Sequence, residues 1–169
     1  ALMATVRHIF EAGDAEYPTS NPGAPSLVQG TNFPVSGIAF DATTQETVYF
    51  RFPAVNYGSG NLTVSLEWYA DTASSGAVTF GASLACITPN TDTQDIETKA
   101  FTTEDLASDT HLGTTGQRLH TFDISVTDLD SIAAGDSVFL RIRRAPADAG
   151  DTMTGDAIIT RVIVAYSDT

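Results

Sequence analysis

Three observations predict an all-β fold, an antiparallel β-sandwich, for this 169-residue chain: strand-like segments with alternating apolar and polar side chains, Gly/Asp/Asn punctuation between them, and no strand–helix alternation. The hairpin ETVYFRFPAVNYGSGNLTVSLEWY carries the signal most plainly. In Glu46–Phe52, Val48, Phe50 and Phe52 share one face while Tyr49 and Arg51 share the other. In Asn61–Tyr69 the apolar face is Leu62, Val64, Leu66 and Trp68. Pro53 and the run Asn56–Gly60 stop the first strand and start the second. A sheet with one apolar face needs a second layer, so the rest of the chain is expected to supply another sheet.

Residues 1–34 read as an extended N-terminal arm preceding a sandwich domain over 35–169. Pro18, Pro22, Pro25 and Pro34, with Gly13, Gly23 and Gly30, interrupt every longer period, leaving only Thr5–Phe10 as a short strand. Val35–Phe40 begins the regular part, followed by the hairpin and then by Gly76–Ile87, where Val78, Phe80, Ala82 and Leu84 alternate with small residues. Gly81 is a candidate bulge. Pro89–Gly116 is irregular, rich in Thr and Asp, and is expected to pack on something, serve as a contact surface or hold a short helix near Thr103–Ala107, capped by Thr102-Thr103. Arg118–Val126, Ser137–Arg143 and Ala157–Tyr166 complete seven or eight strands, and that number with long crossovers suggests a jelly-roll-like arrangement.

The charge excludes some partners. With 21 acidic and 8 basic residues the chain carries −13, and Lys99 is its only lysine. Such a surface repels nucleic-acid phosphates and anionic lipid, so neither nucleic acid nor membrane is an expected partner. Cys86 is alone, which leaves no internal disulfide, and its neighbours Leu84, Ala85 and Ile87 predict a buried thiol. No apolar run has the length of a membrane span, no secretion signal is expected, and Met3 is a candidate natural start.

No catalytic constellation is present, so the chain is not expected to be an enzyme. His8, His111 and His120 fall at no metal-ligand spacing, and Gly58-Ser59-Gly60 is a turn without a nucleophile-elbow frame. Glu46, Glu67 and Asp123 are the available paired carboxylates, yet Thr, Ser and Arg surround them rather than aromatics. Asp148, Asp151 and Asp156 have the acid and glycine content of a calcium loop without its ordered ligand spacing, and Asp128, Asp130 and Asp136 read as turn caps. No cofactor is implied.

The arginines are more informative. Arg51, Arg141, Arg143, Arg161 and Arg118 lie in strand-like text on outward positions, where pairing with Glu67, Asp123 or Glu46 is the plain expectation. Arg51, Arg141 and Arg143 with Tyr49 and Phe139 also make a candidate subunit interface, because Arg and aromatic residues are enriched at such surfaces. Tyr57, Tyr49 and Tyr69 are a candidate sugar-binding platform, whereas Trp68 is phased toward the core. Asn61-Leu62-Thr63 matches a glycosylation sequon by chance.

From Thr47 to Tyr166 the phrases TVYFRFPAVNYGSGNLTVSLEWYA, GAVTFGASLACI, AGDSVFLRIRRAP and GDAIITRVIVAYSD resemble the small β-sandwich virion proteins of tailed bacteriophages, of capsid-decoration or head and tail fibre type. That resemblance implies a jelly-roll-like unit, commonly trimeric, bound to a major capsid protein or other virion protein on the virion surface after assembly in the host cytoplasm. It carries no functional residue with it. The expectation is therefore a non-enzymatic structural protein that stabilises a capsid shell, with a carbohydrate-binding module or receptor-binding fibre domain as the alternative.

Overall fold

The computed structural model describes residues 4–169, so Met3, the candidate start, lies outside the described residues. Two antiparallel sheets face each other across one core. The strands are β1 (Thr5–Glu11), β2 (Ala24–Gln29), β3 (Pro34–Phe40), β4 (Thr47–Pro53), β5 (Ser59–Ala70), β6 (Ala77–Ile87), β7 (Asp105–Thr110), β8 (His120–Val126), β9 (Ser137–Arg144) and β10 (Ala157–Ser167). One sheet runs β2-β3-β10-β5-β8 with β1 also on β10, and the other runs β4-β9-β6-β7. The antiparallel sandwich is as the alternation predicts.

The inward positions are those the period-two pattern assigns. Val48, Phe50 and Phe52 of β4 meet Leu62, Val64, Leu66 and Trp68 of β5 within one cluster, and Phe40 sets its ring edge-on to Phe80 at 5.2 Å between centroids. Trp68 is fully buried, with its indole Nε1 donating to Asp109 at 2.9 Å. Cys86 is buried too, and burial beside Asp130 and Asp136 pushes its thiol up to about 12.

The N-terminal stretch is not an arm. Thr5–Glu11 pairs with Ser167–Arg161 along its whole length, and Phe10 is buried in the core cluster. Ala24–Gln29 pairs with Pro34–Phe40 as an edge hairpin, and edge position is where a sheet tolerates Pro25. Domain boundaries at 34/35 therefore do not exist in the fold. The last strand explains the arrangement: Ala157–Ile159 pairs with β3, whereas Arg161–Ser167 pairs with β1, and the β5 register shifts between Ile159 and Arg161. Thr160 is the extra residue at the change of partner.

Two further expectations change. The stretch Thr103–Ala107 is not helical but leads into β7, because Glu104 ion-pairs with Arg143 and Asp105 accepts from the Thr127 amide at 2.8 Å. Thr102 is not a helix cap, since its hydroxyl accepts from the Leu84 amide. Gly81 makes no bulge, pairing in step with Arg143 and Leu106; a Cβ there would meet the Glu104 carboxylate at 2.5 Å, so glycine serves a close approach. The end of that connection lies on the outer face of the four-stranded sheet, with Phe101 against Tyr49 and Arg141, Thr102 on Leu84 and Glu104 on Arg143, while residues 89–98 are exposed.

Candidate functional site

The outer face of the six-stranded sheet holds a groove of about 590 Å³, and its shape follows from the strand order. The β2–β3 hairpin stands at one edge and the chain entering β8 at the other, so Val28, Phe33 and Val35 oppose Gln117 and Leu119 across a floor made by β5 and β10. On β5, outward Glu67 and Tyr69 alternate with the buried Leu66 and Trp68. On β10, the shift at Thr160 turns Thr160 and Arg161 together onto the same face, the kind of re-aiming that bulges accomplish next to binding sites.

The groove combines apolar walls with a row of charges. Phe33 is 68% exposed and Leu119 57%, an unusual outlay of apolar surface for one small area. Tyr69 lies flat enough in the floor to be 8% exposed, and burial followed by the Asp71 carboxylate raises its phenol above the ordinary range. Its hydroxyl has no hydrogen-bond partner among the described residues. Register places Glu67, Arg161 and Glu11 in one line across three strands. Arg161 Nε donates to Glu11 at 3.1 Å and Nη1 stands 3.9 Å from Glu67, whose other oxygen accepts from the Thr160 hydroxyl at 2.7 Å. The row is thus linked side chain to side chain across the three strands.

One wall is itself anchored. His111 and His120, both 5% exposed, bracket the loop that carries Gln117, with ring centroids 4.6 Å apart. Gln117 donates through Nε2 to the Asp71 carbonyl, and Arg118 Nη1 donates to the Leu112 carbonyl at 3.2 Å.

The tyrosine platform expected from the sequence is not assembled. Tyr69 lines the groove, but Tyr49 lies on the outer face of the opposite sheet under Phe101, 5.5 Å away, and Tyr57 packs on Tyr166 at the end of the sandwich with its hydroxyl donating to Gly60. An outward phase could not tell one sheet from the other.

The five proposed interface residues, in contrast, do come together on the four-stranded sheet. Arg51 pairs with Phe139, Tyr49 with Arg141 and Thr47 with Arg143. The Arg51 guanidinium sits 4.9 Å over the Phe139 ring and Arg141 sits 5.0 Å over Phe101, so the end of the connection before β7 already covers part of this face. Of the carboxylates expected to pair with arginine, Glu67 does so; Asp123 accepts instead from Ser65 and Glu46 from the Asp41 amide. Asp151 belongs to no ion cage, because it takes both Nε and Nη2 of Arg144 at 2.9 Å. Among the described residues no group of three His, Cys, Asp or Glu is arranged to hold a metal. A second depression of about 630 Å³ sets Asp14, Glu16, Arg51 and Asp136 beside an exposed Ile9, with Phe10 and Phe52 buried beneath it.

No protein-family description matches the sequence, and no curated protein sequence matches it. Solved structures do. A family 35 carbohydrate-binding module from Clostridium thermocellum is similar at TM-score 0.50 and 13% identity, over 94% of this chain and 97% of that one. A family 36 carbohydrate-binding module, determined with calcium and xylotriose, reaches TM-score 0.49 at 12% identity over 93% and 98%. The isomalto-dextranase of Arthrobacter globiformis T6, complexed with panose, reaches 0.48 at 16% identity over 98% of this chain and 23% of the enzyme. At such identities the likeness is one of fold, and the fold is a jelly-roll-type β-sandwich.

Proposed function

We propose that this protein is a non-catalytic carbohydrate-binding module, and that the groove over β5 and β10 takes a neutral glycan chain. The observation that carries the reading is the groove's residue set: an exposed phenyl ring, a tyrosine floor, and a linked Glu67–Arg161–Glu11 row with Gln117 and Thr160 beside it. Pyranose rings present an apolar face and a rim of hydroxyls, so they suit an aromatic surface bordered by planar hydrogen-bonding groups. A neutral ligand fits the charge, since the row contributes two carboxylates against one guanidinium and the chain carries −13. Fold likeness by itself assigns no function; it supplies a scaffold compatible with the site.

The test is affinity electrophoresis of the whole chain through gels containing xylan, mixed-linked β-glucan, galactomannan or dextran. At least one polymer is expected to retard the protein, and Phe33→Ala is expected to weaken that retardation about tenfold, the equivalent of about 1.4 kcal/mol. No retardation by any of the four, or retardation unchanged in Phe33→Ala, would overturn the reading. The virion expectation has no support from these neighbours. The N-terminal stretch, read from the sequence as an arm, is paired with β10 of its own chain.

A further inference from the structure

We infer that His120, braced by His111, is a proton-sensitive latch on the loop that leads into the Gln117–Leu119 wall of the groove, and that acidification releases it. The inference rests on the groove being the binding site, and it adds the regulation of that site. Both rings accept a backbone N–H from the loop they bracket. His120 Nε2 accepts from the Leu112 amide at 3.0 Å, and His111 Nδ1 accepts from the Gly113 amide at 3.0 Å. A nitrogen that accepts carries no proton. His111 Nε2 therefore holds that ring's proton and donates to the Gly116 carbonyl at 2.9 Å. His120 must carry its proton on Nδ1, which is buried and has no partner. Each imidazole is thus fixed as one neutral tautomer, and adding a proton to either sets an N–H against an N–H.

The surroundings oppose the charged form of His120. Burial lowers its pKa most, with His111 acting in the same direction, while the Asp109 carboxylate on β7 and the Arg118 backbone favour the charge and the Arg118 guanidinium disfavours it. Asp109 is already engaged by the Trp68 indole. The folded-state value lies below the ordinary 6.5. The bond from the Leu112 amide to His120 is therefore complete above about pH 6.5 and is lost as the pH falls through that lowered value. The loop that the two histidines hold is strained at one residue: Thr114 sits at φ 79°, and it is a β-branched residue in a region such side chains rarely adopt. Gln117 and Leu119 follow in the chain, and Arg118 between them donates to the Leu112 carbonyl, so the loop and the wall are coupled, with the Gln117–Asp71 bond as the wall's second anchor.

A single reporter is built in. Trp68, the only tryptophan, stacks on His120 at 4.6 Å with the planes 19° apart, where an imidazolium quenches indole fluorescence. The experiment titrates the whole chain from pH 8 to pH 4.5 by tryptophan fluorescence and measures amide hydrogen exchange at Leu112 and Gly113 at pH 7.5 and 5.0. His120→Gln and His111→Asn serve as comparisons, because each places a non-titrating oxygen near the accepting nitrogen. The expected result is fluorescence quenching with a midpoint below 6.5, at least tenfold loss of protection at the Leu112 amide at pH 5.0 after correction for intrinsic exchange, and no quenching in His120→Gln. Protection unchanged at pH 5.0 in the unmodified protein would overturn the latch whether or not the variants fold, and so would quenching that persists in His120→Gln. The polysaccharide that retards the protein should bind at least fivefold more weakly at pH 5.0 than at 7.5. A working latch with no polysaccharide bound would sink the groove reading alone, and binding with unaltered amide protection would sink the latch alone.

Discussion

At the scale of single residues, the stability of the sandwich depends heavily on one side chain that hides in plain text. In SVFLRIRR the alternation that turns Val138, Leu140 and Ile142 inward also turns Arg144 inward, and it is fully buried. All five of its N–H groups are satisfied, by both Asp151 oxygens and by the carbonyls of Phe40, Gly155 and Met153. It therefore ties β9 to the loop before β10, the loop whose acids first suggest calcium. The sequence signal existed, in the phase of the strand and the nearby ADAGD, but a charged residue at an inward position is read as outward by default. Replacing Arg144 by Met leaves Asp151 buried without its counter-ion. The expected cost is about 3–5 kcal/mol, read as a lower urea midpoint with an unchanged slope, and Arg144→Met/Asp151→Leu should regain part of it. A single variant as stable as the parent would contradict this account of the pair.

Among the elements, the strands β4, β5, β6, β9 and β10 were legible from their period-two runs, but the expected β4–β5 hairpin does not form: β4 pairs with β9 in the four-stranded sheet and β5 with β10 and β8 in the six-stranded one, so the turn between them crosses from one sheet to the other. Before residue 34 only Thr5–Phe10 was legible as a strand, and its place in the core was not, for a physical reason: β1 places a histidine on its inward face, where His8 packs 4.8 Å from Phe52 and its Nε2 lies 2.9 Å from the Tyr166 hydroxyl, and β2 is an edge strand with a proline. Polar residues at buried positions erase the period on which the reading depends. The difference is measurable. Phe10→Ala should cost about 3–5 kcal/mol in urea unfolding if β1 belongs to the core, since it empties a site in contact with Phe50 and Phe52. A detached arm would lose nothing. Similarly, Glu104 and Asp105 look like the first turn of a helix but are claimed by Arg143 and Thr127 from elsewhere in the fold.

For the molecule as a whole, class was readable and site was not. The groove draws on the tip of the β2–β3 hairpin, two central strands, the end of β1 and the approach to β8, and only strand order, which one sequence does not reveal, makes these neighbours. Glu67 and Tyr69 were singled out beforehand; Phe33, Gln117 and Leu119 lie in aperiodic text that gives no signal of its own. The same topology separates Tyr49 from Tyr69 by the thickness of the sandwich, so each face has to be judged on its own chemistry. The central claim is that one face binds sugar. Its most direct test is backbone amide NMR of the whole chain, titrated with an oligosaccharide of whichever polymer retards it. The account predicts that shifts concentrate at Phe33, Glu67, Tyr69, Gln117, Leu119 and Thr160. Shifts concentrated instead at Tyr49, Phe101, Phe139 and Arg141 would put the ligand on the opposite sheet and contradict it.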